Sequence, residues 1–261
     1  MIVFAAIVPH PLPSIPGIGK VGDFEKLEKT LNAFESLRIG LEQANPDAII
    51  IISPHARLEP YAFVINSAPE LVGSFASHGL DLEMTFKNEL ELATQIDYDC
   101  LMIDEFPVDL HTSFLDHGTL VPLYHLTKNI KPKIVQLSFS LMNYERHYRY
   151  GQIIENIIGK HSNKRIAVIA SGDLSHKLSI NSPAGFSPTA EVFDRSLLHF
   201  LGKNDLTSIL GIRQETVQEA AECGVRSIIV LLGMLHDEKY KFELLSYESP
   251  FGIGHLTARL I

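Results

Sequence analysis

Twelve histidines punctuate this chain of 261 residues, and three of them share one placement. His10 follows the apolar, β-branched stretch Ile2–Val8, in VPHPLP. His55 follows Asp47–Ser53, in SPHARL, and His176 follows Arg165–Ser171, in SGDLSH. Short apolar runs of this kind have the length of a buried strand. Each imidazole is therefore expected just past the carboxyl end of a strand, the edge where open α/β sheets bind ligands. Prolines beside His10 and His55 pre-set the backbone, which lowers the cost of holding a metal donor. One such histidine alone is ordinarily a loop residue bonded to backbone. Three equivalent placements are what point to metal or proton chemistry.

Two neutral imidazoles and one carboxylate, with the remaining positions open, form the facial triad of non-haem Fe(II) sites. The same set also suits zinc. The segment EAAECGVRSIIVLLG offers Glu219 and Glu222 at the entry to an apolar helix, with Cys223 beside them. Helix N-termini favour an anionic group; for Glu222 alone the ordinary role is a solvated carboxylate of the first turn. A further imidazole, His117 in LDHGTLVPL, follows Asp116, which reads as a helix cap. His111 is ambiguous. His78, His125, His147, His161, His199 and His236 fall in polar or helical surface contexts and receive no role.

The elements that must position these residues alternate between strand and helix. Strands are expected at Ile2–Val8, Asp47–Ser53, Tyr61–Asn66, Cys100–Asp104, Lys133–Phe139, Arg165–Ser171, Tyr240–Tyr247 and His255–Ile261. Helices are expected at Asp23–Ala44, Glu89–Gln95, Gly118–Lys128, Asn143–Lys160 and Thr189–Leu201. Two short helices follow before Cys223, and an apolar one spans Gly224–His236. In Asp23–Ala44 the apolar residues Phe24, Leu27, Leu31, Phe34 and Leu41 recur at three- and four-residue spacing. Asn45-Pro46 stops that helix, because a residue before proline is pushed out of the α region. The alternation predicts an α/β sandwich, a central mostly parallel or mixed sheet flanked by helices. With no linker, repeat or low-complexity tract, residues 1–261 read as one domain.

Composition agrees with an ordinary globular protein: 46% hydrophobic and 20% charged, with 14 Pro and 17 Gly. Basic residues number 22 against 31 acidic, a net of -9. That balance disfavours nucleic acid and anionic membrane, which need a basic footprint. Two cysteines, Cys100 and Cys223, cannot staple a chain of this size and fit a reducing cytoplasm. No signal peptide is expected, since no basic region precedes Met1–Val8 and prolines cut it short. No apolar run approaches a membrane span.

At these residues the sequence resembles the class III extradiol ring-cleavage dioxygenases, specifically the catalytic B-subunit (LigB-like) superfamily. Five segments carry the likeness in order: VPHPLP, PDAIIIISPH, LDHGTLVPLYHL, ASGDLSH and AAECGVRSIIVLLG. The close YESPFGIGHLTARL looks like the stand-alone subgroup related to Memo-type proteins. The resemblance implies that His10 and His55 bind Fe(II), with zinc or manganese as alternatives. Glu222 matches the carboxylate ligand, and Cys223 is the alternative, because Memo-like relatives carry a cysteine in this region. His176 matches the catalytic acid–base histidine, and His117 a second pocket histidine that polarises or positions substrate. Asp173 stands where the dioxygenases commonly have a small residue, as on the Memo-like side.

The implied activity is extradiol cleavage of a small catechol-type aromatic diol with dioxygen. The implied substrate-lining loops are Ala68–Leu82 and Ser179–Pro188. A homodimer is among the assemblies that related proteins form. The rival expectations are a Memo-like metal-binding protein with a redox or partner-binding role and no ring cleavage, and a zinc-dependent hydrolase.

Overall fold

The computed structural model describes every residue except 105–107 and 162. One eight-stranded mixed sheet organises it. The strands are β1 (Ile2–Val8), β2 (Ala48–Ile52), β3 (Phe63–Asn66), β6 (Val108–His111), β7 (Lys133–Ser138), β8 (Ile166–Ser171), β9 (Glu243–Glu248) and β10 (His255–Arg259). A separate two-stranded hairpin joins β4 (Glu70–Ser74) to β5 (Glu83–Lys87). The order across the main sheet is β6-β3-β7-β2-β8-β1-β10-β9. At its centre β2, β8 and β1 lie side by side, and both pairings are parallel. The α/β expectation holds, with a mixed sheet because β3, β10 and β9 add antiparallel pairings.

The central strands are apolar on both faces because both faces are covered. In β2, Ile50 and Ile52 join one buried cluster, and Ile49 and Ile51 join the other. The first cluster packs under α3 (Leu90–Asp104), α5 (Tyr144–His161), α6 (Pro188–Gly202) and α9 (Val225–Met234). The second packs under α2 (Glu28–Ala44) and α4 (His117–Leu126). Two short helices, α7 (Leu206–Leu210) and α8 (Gln214–Ala220), lead towards the loop carrying Cys223. Among the described residues no helix is long and apolar enough to cross a membrane.

Three expectations are corrected. The helix over Asp23–Ala44 is two helices, α1 (Val21–Lys26) and α2, broken at buried Leu27, and α2 ends at left-handed Asn45. Cys100–Asp104 is not a strand but the last part of α3. A short apolar run has no period that separates strand from buried helix. Strands β4, β5 and β6 were not expected; β5 (EMTFK) does alternate polar and apolar residues, but over only five residues, none of them fully buried.

Candidate metal centre

Because β2, β8 and β1 are neighbours running in one direction, their carboxyl ends open onto a single edge. His55, His176 and His10 leave from those three ends. The Nε2 atoms of His10 and His55 lie 3.1 Å apart. The Cys223 sulfur lies 3.8 Å from Nε2 of His10. One donor atom from each of His10, His55 and Cys223 falls within 4.8 Å of the other two. A second triad, Asp173, His176 and Cys223, meets the same criterion and shares the cysteine. The Asp173 carboxylate reaches to 3.5 Å from Nε2 of His10.

Hydrogen bonding fixes the His10 tautomer. The Ser171 hydroxyl donates to the Gly118 carbonyl at 2.5 Å, so towards His10 it is left as an acceptor. Nδ1 of His10, 3.1 Å away, therefore carries the proton, and Nε2 keeps its lone pair facing His55 and Cys223. Such an outer partner is how metal-binding histidines are commonly oriented. The His55 backbone N–H donates to Ser53 Oγ, which in turn donates to Asp116. Asp116 also caps α4 by accepting from Thr119 N, so one carboxylate braces both the His55 turn and the helix that begins at His117.

The thiol arrives through a close approach of two loops. A Cβ on Gly172 would stand 2.1 Å from the Gly224 Cα, so only glycine permits this contact. Cys223 N donates to the Asp173 carbonyl at 3.2 Å, and Asp173 N points back to the Cys223 sulfur at 3.3 Å. Glu222, one residue earlier, turns elsewhere. Its carboxylate accepts from Val225 N at 2.7 Å, in the first turn of α9. Of the two neighbours, it is Cys223 that comes together with His10 and His55.

His117 stacks on His55 with ring centroids 4.3 Å apart and stands 5.4 Å from His10. His176 is partly exposed at the same edge, its backbone N–H held by the Ala220 carbonyl. Two participants were not foreseen. His78, from the segment between β4 and β5, comes within 5.8 Å of His117. His255, at the start of β10 and fully buried, holds Asp173 Oδ1 through Nδ1 at 3.2 Å. Placement beside β1 brings His255 here, and nothing in GIGHLTARL signals it. His111, left open by the sequence, is not at this edge's triads but beside Glu59 and Asp109.

The electrostatics suit a cation. Burial lowers the pKa of His10, His55 and His117, and their mutual repulsion as imidazoliums adds to it. Burial favours the neutral form of all three, the form that can donate a lone pair, while at His10 the Asp173 carboxylate pulls the other way. Burial works against charge on Asp173, but His10 and His255 outweigh it and hold the carboxyl well below the usual range. Burial, Asp173 and Glu222 push the Cys223 thiol up, and burial brings Glu222 to about 7. A bound cation reverses that logic at a thiol and deprotonates it. The residues therefore fit an ion: two imidazole nitrogens and one sulfur converge within reach of a single point. Imidazole and thiolate together select borderline or soft ions such as iron, zinc or copper.

The comparisons with known proteins bear on the family and the fold. Residues 5–258 match the family model described as the catalytic LigB subunit of aromatic ring-opening dioxygenase. Protein CA_C1420 of Clostridium acetobutylicum is 34% identical over 97% of this chain. The chain spans only 56% of that relative's length. The crystal structure of uncharacterized protein JW3007 from Escherichia coli K12 superposes with a TM-score of 0.70 at 16% identity, covering 99% of this chain and 100% of that one. That likeness shows the fold. A family match across nearly the whole chain, on a sheet whose carboxyl edge gathers His10, His55 and Cys223, places the protein in the LigB family of aromatic ring-opening dioxygenase catalytic subunits.

Proposed function

We propose that the protein is a metal-dependent oxidoreductase that opens the ring of a small aromatic diol beside its hydroxyls, using dioxygen. The observation that carries this reading is the convergence of His10, His55 and Cys223, with His117 and His176 at the same sheet edge. His10, His55 and Cys223 would hold the ion, Fe(II) by preference and zinc as the alternative; manganese, which favours oxygen donors, suits this thiol-containing set less. Bound iron would supply the positive charge that gathers a diol and dioxygen, and a path for the electrons that pass from the diol to dioxygen. The chain's own part is proton handling and orientation. Nδ1 of His176 has no hydrogen-bond partner among the described residues, which leaves it free to accept a substrate proton. Stacked on His55, His117 is placed to orient the ring and to hold a second proton.

One observation favours a second reading. The third converging donor is a thiol and not the Glu222 carboxylate. A His-His-Cys set suits a Memo-like metal-binding protein with a redox role and no ring cleavage. Anaerobic loading with Fe(II), followed by a panel of catechols and dioxygen, separates the two. Oxygen uptake with a yellow ring-fission product supports ring opening, and His176→Ala should then keep the metal and lose turnover. A loaded protein that takes up no oxygen with any catechol favours the second reading.

A further inference from the structure

We infer that the pocket accepts two metal ions joined through the Cys223 sulfur, one held by His10 and His55 and the other by Asp173 and His176. The inference rests on the reading that His10, His55 and Cys223 bind the first ion, and adds a neighbour to it. The donors form two triads that share the cysteine, each compact enough to surround one ion. A thiolate has lone pairs enough to bind two cations at once, whereas an imidazole nitrogen has one. Cys223 is thus the one shared donor whose chemistry permits a bridge.

The second triad is built and not incidental. Asp173 is buried, and Oδ1 is tied down by the His10 backbone N–H and by His255 Nδ1, both at 3.2 Å. Its other oxygen, Oδ2, faces the Nε2 edge of His10, where metal donors gather. Nδ1 of His176 is a buried nitrogen without a partner among the described residues. An orphaned buried nitrogen costs free energy that a ligand would relieve. The backbone of His176 is anchored to Ala220, three residues before the cysteine, so the two halves of the triad move together.

Carboxylate, imidazole and thiolate together suit a divalent ion of the zinc and cobalt class. The thiolate and Asp173 supply two negative charges against two dications. The excess positive charge would favour a dianionic, diolate-type ligand. With the second ion in place, His176 is a ligand and not a base, so excess metal should slow any turnover that depends on it.

The test is an anaerobic titration of the reduced, metal-free full chain with Co(II). It follows the sulfur-to-cobalt charge-transfer band, with cobalt per chain counted after desalting. The wild type should bind two ions in two phases that both perturb the sulfur band. His176→Gln and Asp173→Asn should each bind one, with circular dichroism confirming that the variants are folded. One ion in the wild type overturns the inference and leaves the first reading standing. Two ions retained in both variants places the second ion elsewhere and also overturns it. No cobalt at all overturns the first reading, and the inference with it.

Discussion

The Nε2 atoms of His10 and His55 stand 3.1 Å apart, and Ser171 decides which His10 nitrogen faces that gap. Its hydroxyl proton goes to Gly118, so it can only accept from Nδ1. Ser171→Ala removes the acceptor and frees the ring to adopt the other tautomer. Losing an outer partner of this kind costs about 10- to 100-fold in metal affinity. Chelator competition should show a drop of that order. Unchanged affinity would mean that Ser171 does not set the tautomer.

Cys223 and Glu222 are adjacent and should behave oppositely. Cys223→Ser removes a converging donor, and we expect metal affinity to fall at least as far as in Ser171→Ala. Glu222→Gln keeps an acceptor for Val225 N and should retain full metal stoichiometry. Its cost should be confined to about 0.5–1 kcal/mol of stability, as for a weakened helix cap. Metal counted after desalting, beside urea unfolding of each variant, checks both. The reverse pattern would restore Glu222 as the ligand.

Gly172 should be irreplaceable for a reason visible in the backbone. A methyl group there would meet the Gly224 Cα at 2.1 Å, and a backbone atom cannot swing aside as a side chain can. Gly172→Ala should cost about 1–3 kcal/mol, the usual penalty for overpacking. It should also weaken metal binding by parting the Asp173 and Cys223 loops. A variant as stable as the parent, with the same affinity, would contradict this packing.

Stability should fall as the medium turns acidic, through two buried histidines outside the site. Burial lowers His125 to about 3 and His147 to about 4, from 6.5. Above pH 6.5 both are neutral folded and unfolded, and contribute nothing to pH dependence. Below it the unfolded chain takes up protons that the folded chain refuses, so stability drops until the folded values are reached. By pH 5 each should cost about 2 kcal/mol. In metal-free protein, His125→Gln should narrow the difference in unfolding free energy between pH 8 and pH 5 by about that amount. An unaltered difference would show that His125 is not held neutral.

Much of the site was legible because its donors sit at the ends of the most apolar runs. DAIIIIS and RIAVIAS announce buried strands, and the residues after them are the ones exposed at a sheet edge. What was not legible is adjacency. That β8 lies between β2 and β1 is a matter of long-range pairing, and that pairing is what brings His10 to His55. His255 was missed for the same reason, since it reaches Asp173 only because β10 pairs with β1. The choice between Glu222 and Cys223 turned on a register of one residue. It follows a left-handed residue, Ala221 at φ 53°, which alanine does not advertise. The run at Cys100–Asp104 misled because its apolar composition suits a buried strand, whereas it forms a helix end on which Leu101 and Met102 are exposed.

The central claim is that His10, His55 and Cys223 grip one ion. X-ray absorption at the metal edge, on protein loaded anaerobically with one equivalent of Zn(II), tests it most directly. The account predicts one sulfur scatterer at about 2.3 Å together with nitrogen or oxygen scatterers at about 2.0–2.1 Å, the sulfur shell vanishing in Cys223→Ser. A first shell without sulfur in the parent protein, or one unchanged in Cys223→Ser, would contradict it.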